Sequence, residues 1–218
     1  MFDEQIVSMI IKGIGETLYM TLFSTFFGYV FGLPMGIVLA VTDKDGIKPN
    51  RVVYRILDIV ANILRSIPFL ILLILLIPFT RLIVGKSYGS SATVVPLVIA
   101  ATPFIARMIE SSIKEVDHGV IEAARSMGAD TFTVITKVLL VEARTSIIVG
   151  VTIALGTILG YSAMAGTVGG GGLGDIAVRY GYYRYEENIM IVTVILLILM
   201  VQVFQVVGMR IASIVNHK

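Results

Sequence analysis

Few residues of this chain have types and spacing that could do chemistry, and the most informative ones stand in one polar segment. The segment, Glu122–Gly128, reads Glu-Ala-Ala-Arg-Ser-Met-Gly. Alanine and arginine favour helix, and a glycine at this position commonly ends a helix in the left-handed conformation. We expect a short helix that docks in the groove of a partner protein, with Ile121, Ala124 and Met127 turned toward that partner.

Small and charged side chains of the same segment support this docking interpretation. Ala123 permits close contact, and Glu122 places a carboxylate near the helix start, where the helix dipole favours it. After the glycine, Asp130 or Thr131 can cap a second helix with amphipathic spacing. Its apolar positions are Val134, Ile135, Val138 and Leu139. The alternative is an amphipathic hairpin that lies on lipid without binding a partner.

The composition indicates the class of protein in which this segment lies. Of the 218 residues, 56% are hydrophobic and 15% are charged, and the mean hydropathy is +0.92. A soluble domain has about a quarter charged residues, so the composition indicates a polytopic protein of the lipid bilayer with no nucleic-acid partner. The absence of cysteine excludes disulfides, thiol catalysis and cysteine-based metal sites.

Five stretches are apolar over the roughly 20 residues that a transmembrane helix needs. We predict spans at about 17–41, 57–84, 92–109, 145–164 and 188–207. The polar segment then lies in a loop at about 115–142, between the third and fourth spans.

Basic residues lie mostly on one side of these predicted spans. That side carries Lys44, Lys48, Arg51, Arg55, Arg107, Lys114, Arg125, Lys137, Arg144, Arg210 and Lys218. The other side carries Lys12, Arg81, Lys86, Arg179 and Arg184. The positive-inside rule therefore places the N-terminus outside, and the C-terminus and the 115–142 loop in the cytoplasm. Among the charged residues, Glu110 and Lys114 also have the spacing of a surface ion pair on a helix.

Glycine and proline spacing predicts how the spans pack. Glycines recur every four residues at Gly28, Gly32 and Gly36 and again at Gly156 and Gly160. Small residues at this spacing let helix backbones approach closely in lipid. Pro34, Pro68, Pro96 and Pro103 are expected to kink or break their spans.

Polar and soft side chains within the spans are candidates for a translocation pathway. Arg65 lies inside the second span if that span starts near Leu57, and at the cytoplasmic boundary if it starts at Ile67. Asp58 is two turns away and can pair with Arg65 only through a bend. The candidates in and after the fourth span are Thr152, Thr157, Tyr161, Ser162 and Met164. Methionine adapts to a thioether substrate, and ordinary packing is the alternative role.

The sequence contains no pattern for binding ATP or a metal ion. The pattern G-x-x-x-x-G-K-[ST] does not occur, so we expect no ATP hydrolysis by this chain. Gly169, Gly171 and Gly174 satisfy G-x-G-x-x-G, but no strand–helix–strand unit surrounds them. They are better explained as a flexible turn between the fourth and fifth spans. His118 and His217 are isolated, so no metal site is predicted.

The polar segment resembles the signature loop of ABC-transporter permeases, which reads Glu-Ala-Ala, three residues, Gly, nine residues and Ile-x-Leu-Pro. The matching residues are Glu122, Ala123, Ala124 and Gly128. The end of the loop reads Val-Leu-Leu-Val, so Val141 stands where the family pattern has a helix-breaking proline. The resemblance implies that this loop holds a coupling helix that docks on an ATPase subunit.

Longer runs across nearly the whole chain resemble the permease subunit of methionine importers. They are Arg65-Ser-Ile-Pro-Phe-Leu-Ile-Leu-Leu, Ile77-Pro-Phe-Thr-Arg, Pro103-Phe-Ile-Ala-Arg-Met, Gly160-Tyr-Ser-Ala-Met, Gly172-Leu-Gly and Tyr180-Gly-Tyr-Tyr-Arg-Tyr. The resemblance implies an all-α integral membrane protein of the type I ABC importer-like permease fold, with about five spans in a domain at 13–207. The implied location is the cytoplasmic (inner) membrane.

The same resemblance implies the partners and the substrate. The implied assembly is a homodimer with two cytoplasmic ATP-binding subunits and an extracytoplasmic methionine-binding protein. No cofactor is implied for this chain, because ATP and Mg²⁺ belong to the ATPase. A dimer also agrees with the span count, since five helices are few to enclose a gated pathway and a two-fold pair supplies ten. The implied function is import of L-methionine, with D-methionine as an open alternative.

Three other functions remain as alternatives. The first is a permease of the same architecture for another small amino acid or thioether. The second is an ion-coupled secondary transporter, which usually has inverted repeats and ionisable residues near the midplane, and neither is evident. The third is a membrane-embedded enzyme, which needs converging His, Asp, Glu or Cys side chains that the spans almost entirely lack.

Overall fold

A computed structural model of the chain describes residues 4–216, so His217 and Lys218 lie outside the described range. Within it the regular structure is helical and no strand occurs, which confirms the all-α prediction. The α-helices are α1 (Glu4–Thr42), α2 (Arg51–Ser66), α3 (Phe69–Leu75), α4 (Ile77–Val84), α5 (Ser90–Lys114), α6 (His118–Ser126), α7 (Thr131–Thr133), α8 (Leu140–Glu142), α9 (Arg144–Ala165), α10 (Gly172–Ile176) and α11 (Glu187–Val215). Two π-helical segments, Val134–Leu139 and Ala177–Tyr182, and a 3₁₀ turn, Gly166–Val168, lie between them.

Helices α1 and α5 pack along each other at the centre of the fold. The glycines of α1 that lie on this contact are Gly28, Gly32 and Gly36. A methyl group added to Gly32 would stand 2.8 Å from the carbonyl oxygen of Thr102 and 2.9 Å from the Cβ of Ile105. The backbones are therefore too close for a larger residue, which confirms the predicted close packing. At Gly160 of α9, by contrast, no atom of the described residues lies within 4 Å of the added methyl position.

The stretch 57–84, predicted as one span, is divided among α2, α3 and α4. Helix α2 begins after Asn50, whose Oδ1 accepts hydrogen bonds of 3.2 Å from the backbone N–H groups of Val52 and Val53. It ends before Pro68, because a proline disfavours the helical conformation of the residue before it, and Ile67 is extended. Helix α3 leaves α2 at 102°. This stretch is therefore not one straight helix.

The other prolines do not end their helices. Pro34 lies inside α1, and Pro96 and Pro103 lie inside α5, and both helices continue past them. A break at these three positions is therefore not observed. Packed neighbouring helices can hold a proline-containing span together, because the lost hydrogen bond is offset by contacts on either side.

The number of helices able to cross a membrane agrees with the predicted count of about five spans. Helix α1, helix α5, the segment Arg144–Val168 and helix α11 are long and apolar enough, and the bent pair of α2 and α3 makes a fifth if it counts as one span. The side of the membrane on which each end lies stays a prediction.

The glycine-rich turn between α9 and α11 is held against α1. The N–H of Gly172 donates to Oε2 of Glu16 over 2.7 Å, and the N–H of Leu173 donates to Oγ1 of Thr17 over 2.9 Å. A methyl group added to Gly172 would stand 2.7 Å from that hydroxyl oxygen. The expectation of a loose, flexible turn is therefore corrected, because backbone hydrogen bonds and close packing fix its path.

Candidate functional site

Helix α6 contains most of the polar segment that the sequence singles out, and local signals set its start. Asp117 precedes the helix in an extended conformation, and its Oδ1 accepts a hydrogen bond of 2.6 Å from the N–H of Gly119. Such a cap contributes about 1 kcal/mol, because it satisfies a donor that the helix itself leaves free. Glu122 lies beyond the first turn of α6, so the helix dipole acts on it less than the sequence suggested.

Gly128 ends this helix as predicted. Its φ is +86°, a left-handed conformation that glycine adopts without a steric penalty. The N–H of Gly128 donates to the carbonyl oxygen of Arg125 over 2.9 Å, and the N–H of Ala129 donates to that of Ala124 over 3.1 Å. This is the Schellman arrangement, which satisfies the last carbonyl groups of a helix and turns the chain away.

The exposed side of α6 is not the side that the sequence predicted for docking. Ile121 and Ala124 are buried in the core beside Leu139, so they do not face a partner. Met127 is 83% exposed, and Glu122 and Ala123 are exposed as well. The exposed side of this segment therefore includes Glu122, Ala123 and Met127. The sequence could not show this, because helical spacing alone does not say which side meets the rest of the chain.

The helix that follows begins and packs as predicted. Oδ1 of Asp130 accepts a hydrogen bond of 3.2 Å from the N–H of Thr133, and hydrogen bonds from the side chain and backbone of Thr133 hold the pKa of Asp130 below its ordinary value. Val134 and Leu139 are buried on its apolar face. Helical structure continues through Val141 to Glu142, so the missing proline of the family pattern leaves no break there.

A cavity of about 240 Å³ lies between α6 and the loop after α1. Its lining includes Asp43 of that loop, His118 and Ile121. The guanidinium of Arg125 donates a hydrogen bond to the carbonyl oxygen of Ile47, which ties the loop to the end of α6. The position of α6 is thus fixed both by its buried face and by this polar contact.

A group of charged residues next to this loop was largely missed by sequence reasoning. Glu110 and Lys114 form the predicted pair, with 2.7 Å between Oε1 and Nζ, but the Glu110 side chain is only 5% exposed. The pair is therefore buried at the carboxylate end and is not a surface pair. Lys114 also binds Oδ2 of Asp43 over 2.7 Å. Partial burial raises the pKa of Asp43, but hydrogen bonds from Lys114 and from the N–H of Lys44 outweigh this effect and leave that pKa below its ordinary value.

The same cluster continues through Arg107 onto α2. Nη1 of Arg107 binds Oε2 of Glu110 over 2.7 Å, and Nη2 binds the carboxylate of Asp58 and Oδ1 of Asn62, the latter over 3.0 Å. The hydroxyl of Tyr54 donates to Oε1 of Glu110 over 3.2 Å. One sequence signal could have revealed this cluster. Arg107, Glu110 and Lys114 follow one another at spacings of three and four on one face of an apolar helix, where ionisable residues are rare.

The predicted pathway residues do not converge within a single chain. Arg65 is exposed in the last turn of α2, and Asp58, weighed as its partner, instead binds Arg107. Tyr161 stacks on Phe69 of α3. Ser162 and Met164 differ in their exposure. Ser162 is 1% exposed and donates to the carbonyl oxygen of Leu159 over 2.7 Å, whereas Met164 is 52% exposed.

Two further polar candidates of α9 bond to their own helix. Thr152 donates to the carbonyl oxygen of Ile148 and Thr157 to that of Ile153. Across residues 4–216, no group of three or more His, Asp or Glu side chains is arranged to hold a metal ion.

These features define the class of the protein. It is a helical, multi-pass membrane protein that presents a capped, partly exposed helix between two spans. A family model described as the inner membrane component of binding-protein-dependent transport systems matches residues 32–218, and the chain belongs to that family.

Similar proteins share nearly the whole length of the chain. The probable D-methionine transport system permease protein MetI of Vibrio cholerae serotype O1 is 49% identical over 211 residues, which are 97% of this chain and 94% of that protein. The methionine import system permease protein MetP of Bacillus subtilis is 47% identical over 203 residues, 93% of this chain and 91% of that protein. A chain in a solved inward-facing structure of the methionine ABC transporter MetNI has 46% identity and a TM-score of 0.97, with 99% of this chain and 100% of that chain covered.

Proposed function

We propose that this chain is the permease subunit of an ATP-driven importer that carries methionine across the inner membrane. The observation that carries the proposal is the similarity, over nearly the full length, to permeases named for methionine or D-methionine transport. The match of the fold to a chain of a methionine ABC transporter supports it. A permease of the same architecture for another small amino acid or thioether is the second candidate, because none of the described contacts distinguishes methionine from a similar solute.

The proposed ATPase partner would dock on the exposed face of α6. Glu122, Ala123 and Met127 project from a helix that is capped at both ends and packed on the core, so the face is rigid before a partner arrives. Such preorganisation lowers the entropy lost on binding. ATP and Mg²⁺ belong to that partner, and hydrolysis is assigned to it because this chain lacks the phosphate-binding pattern.

A homodimer is the proposed form of the permease. In the described part of the chain, no atom lies within 4 Å of a methyl group added at Gly160 of α9, and such an open small residue suits close contact with a second copy. The pathway would then lie between copies, where Arg65, Tyr161 and Met164 stay the proposed lining residues. Ser162 is buried within its own copy and is no longer proposed to line the pathway. Rocking of the two copies would open it to alternate sides.

The proposed orientation puts α6 in the cytoplasm and the glycine-rich turn on the opposite side. An extracytoplasmic methionine-binding protein would deliver substrate at that turn. The concentration of basic residues around α6 and α2 supports this orientation under the positive-inside rule.

Reconstitution in proteoliposomes tests the function. The chain is co-expressed with its candidate ATPase, and uptake of labelled methionine is measured with ATP, with a proton or sodium gradient alone, and with competing amino acids and thioethers. ATP-dependent methionine uptake supports the proposal. Uptake driven by the gradient alone, without a retained ATPase, would show an ion-coupled transporter, and strong preference for another solute would establish the second candidate.

Charge reversal on α6 tests the docking face. Glu122→Lys should reduce the amount of co-purified ATPase more than Glu122→Ala, because it places a cation where the partner is expected to meet a carboxylate. Asp45→Lys, an exposed carboxylate outside α6, is the matched control and should retain the ATPase. Equal retention in all three variants would move the docking site elsewhere.

A further inference from the structure

We infer that Glu110 is a positioning residue that transmits movement of α6 to α2 and through it to the bend at Pro68. The inference rests on the proposed function, because it takes α6 to be the helix that the ATPase moves. It concerns the ion cluster of Asp43, Asp58, Arg107, Glu110 and Lys114, which is partly buried and which none of the docking or pathway assignments uses.

Glu110 is the hub of this cluster. Its Oε1 accepts from Nζ of Lys114 over 2.7 Å and from the hydroxyl of Tyr54 over 3.2 Å, and its Oε2 accepts from Nη1 of Arg107 over 2.7 Å. The carboxylate therefore has three donors while its side chain is only 5% exposed. A buried carboxylate held on both oxygens is fixed in place, because moving any donor away removes part of the pairing that offsets the desolvation of the charge.

The cluster is joined to α6 in two ways. Helix α5 ends at Lys114 and α6 begins at His118, with only three residues between them, so the helix that carries Glu110 leads directly into α6. Lys114 binds Asp43 at the start of the loop after α1, and the same loop accepts the hydrogen bond from Arg125 of α6 at Ile47. The end of α5, this loop and α6 are thus linked by polar contacts as well as by apolar packing.

The other side of the cluster holds α2. Tyr54, Asp58 and Asn62 lie four residues apart on one face of α2, and all three bond to Arg107 or Glu110. A displacement of the end of α5 therefore carries α2 with it, because three side chains of α2 bond to Arg107 and Glu110 at once and Arg107 is only 18% exposed.

The far end of α2 leads to the predicted pathway. Helix α2 turns by 102° into α3 after Pro68, and Phe69 at the start of α3 stacks on Tyr161 of α9. A shift of α2 would thus act on the contact between α3 and α9. Packed elements of this kind move between discrete arrangements and do not deform continuously.

Stability alone does not account for the cluster. Apolar residues of similar volume often stabilise a buried site as well as an ion network does, because they avoid the desolvation cost. What the network adds is directional attachment of α2 to α5 at the Glu110 carboxylate, and of the loop after α1 to that carboxylate through Lys114. Removing its charge without changing its shape should loosen that attachment while the apolar packing around it persists.

The test compares transport with hydrolysis in the assembled complex. Glu110→Gln, Tyr54→Phe and Asp43→Asn are each co-purified with the ATPase and reconstituted, and methionine uptake per ATP hydrolysed is measured. Asp45→Asn is the matched control, because Asp45 lies two residues from Asp43 with its side chain 72% exposed. We expect Glu110→Gln to lower uptake per ATP roughly fivefold or more, with ATPase retained and hydrolysis maintained. Tyr54→Phe and Asp43→Asn should show smaller losses, and the control should match wild type.

The uptake-to-hydrolysis ratio separates positioning from a structural role. If Glu110→Gln lowers only the yield or thermal stability of the complex and leaves the ratio unchanged, the inference is overturned. If the Glu110→Gln complex does not assemble, Tyr54→Phe and Asp43→Asn test the inference in its place. A wild-type ratio of uptake to hydrolysis in both of these variants also overturns the inference. Absence of ATP-dependent uptake in wild type would instead defeat the proposed function, so the two failures are distinguishable.

Discussion

Phe69 and Tyr161 stack with ring centroids 4.6 Å apart and ring planes inclined by only 6°. Phe69 is the first residue of α3, directly after the Pro68 bend, and Tyr161 lies in the second half of α9. The stack therefore joins the broken helix to the span that also carries Ser162 and Met164. It is the contact through which a change in the bend would reach that span.

A double-mutant cycle measures the strength of this stack. Phe69→Ala, Tyr161→Ala and the double variant should show a coupling energy of about 0.5–1.5 kcal/mol, the usual contribution of an aromatic pair beyond its buried area. Thermal unfolding of the detergent-solubilised complex provides the measurement. Tyr161→Phe keeps the ring and should unfold like wild type. Strict additivity of the two alanine effects would show that the rings do not interact.

Gly128→Ala should weaken the end of α6. No atom of residues 4–216 lies within 4 Å of the added methyl position, so the cost comes from the left-handed backbone alone and should be about 1–2 kcal/mol. Gly128→Asn should cost less, because asparagine tolerates that conformation better than alanine. Thermal unfolding and ATPase co-purification are measured together. An alanine variant as stable as wild type would mean that the helix end can adopt another conformation.

Gly32→Ala should disturb the contact between α1 and α5. The added methyl group would meet the Thr102 carbonyl oxygen and the Ile105 Cβ, and overpacking of this kind costs about 1–3 kcal/mol. Gly15→Ala in the same helix is the control, since none of the residues that the structure describes has an atom within 4 Å of its added methyl group. The thermal unfolding midpoint should fall for Gly32→Ala and hold or rise for the control. Equal midpoints would argue against the tight helix contact.

The ion pair of Asp43 and Lys114 should make stability depend on acid pH. The pKa of Asp43 in the folded protein lies below its ordinary value of 3.8, so its stabilising contribution is present above that pH and is lost as the pH falls through the folded-state pKa. The difference in unfolding midpoint between wild type and Asp43→Asn should thus be steady from about pH 8 to pH 5 and shrink below it. Asp45→Asn should stay close to wild type near neutral pH. A difference in unfolding midpoint that increased as the pH fell would contradict the ion pair of Asp43 and Lys114.

Local sequence signals predicted the α6 region well. The glycine that ends α6, the aspartate that caps the next helix, and the buried positions Val134 and Leu139 follow from propensity, capping and periodicity. The break at Pro68 was also predicted, because proline constrains the residue before it. The sequence did not predict that α1 and α5 continue past their prolines. That continuity depends on neighbouring helices, which only the folded chain supplies.

The sequence by itself determined that this is a helical membrane protein with a capped polar helix between spans, because hydropathy, glycine and capping residues act over a few neighbouring positions. The tertiary structure alone decided that Ile121 and Ala124 face inward and that Glu122 and Met127 face outward. It also decided that Asp58 binds Arg107, 49 residues away, rather than Arg65. Such choices depend on which helix faces pack together, and the packing is set by the whole chain rather than by spacing along it.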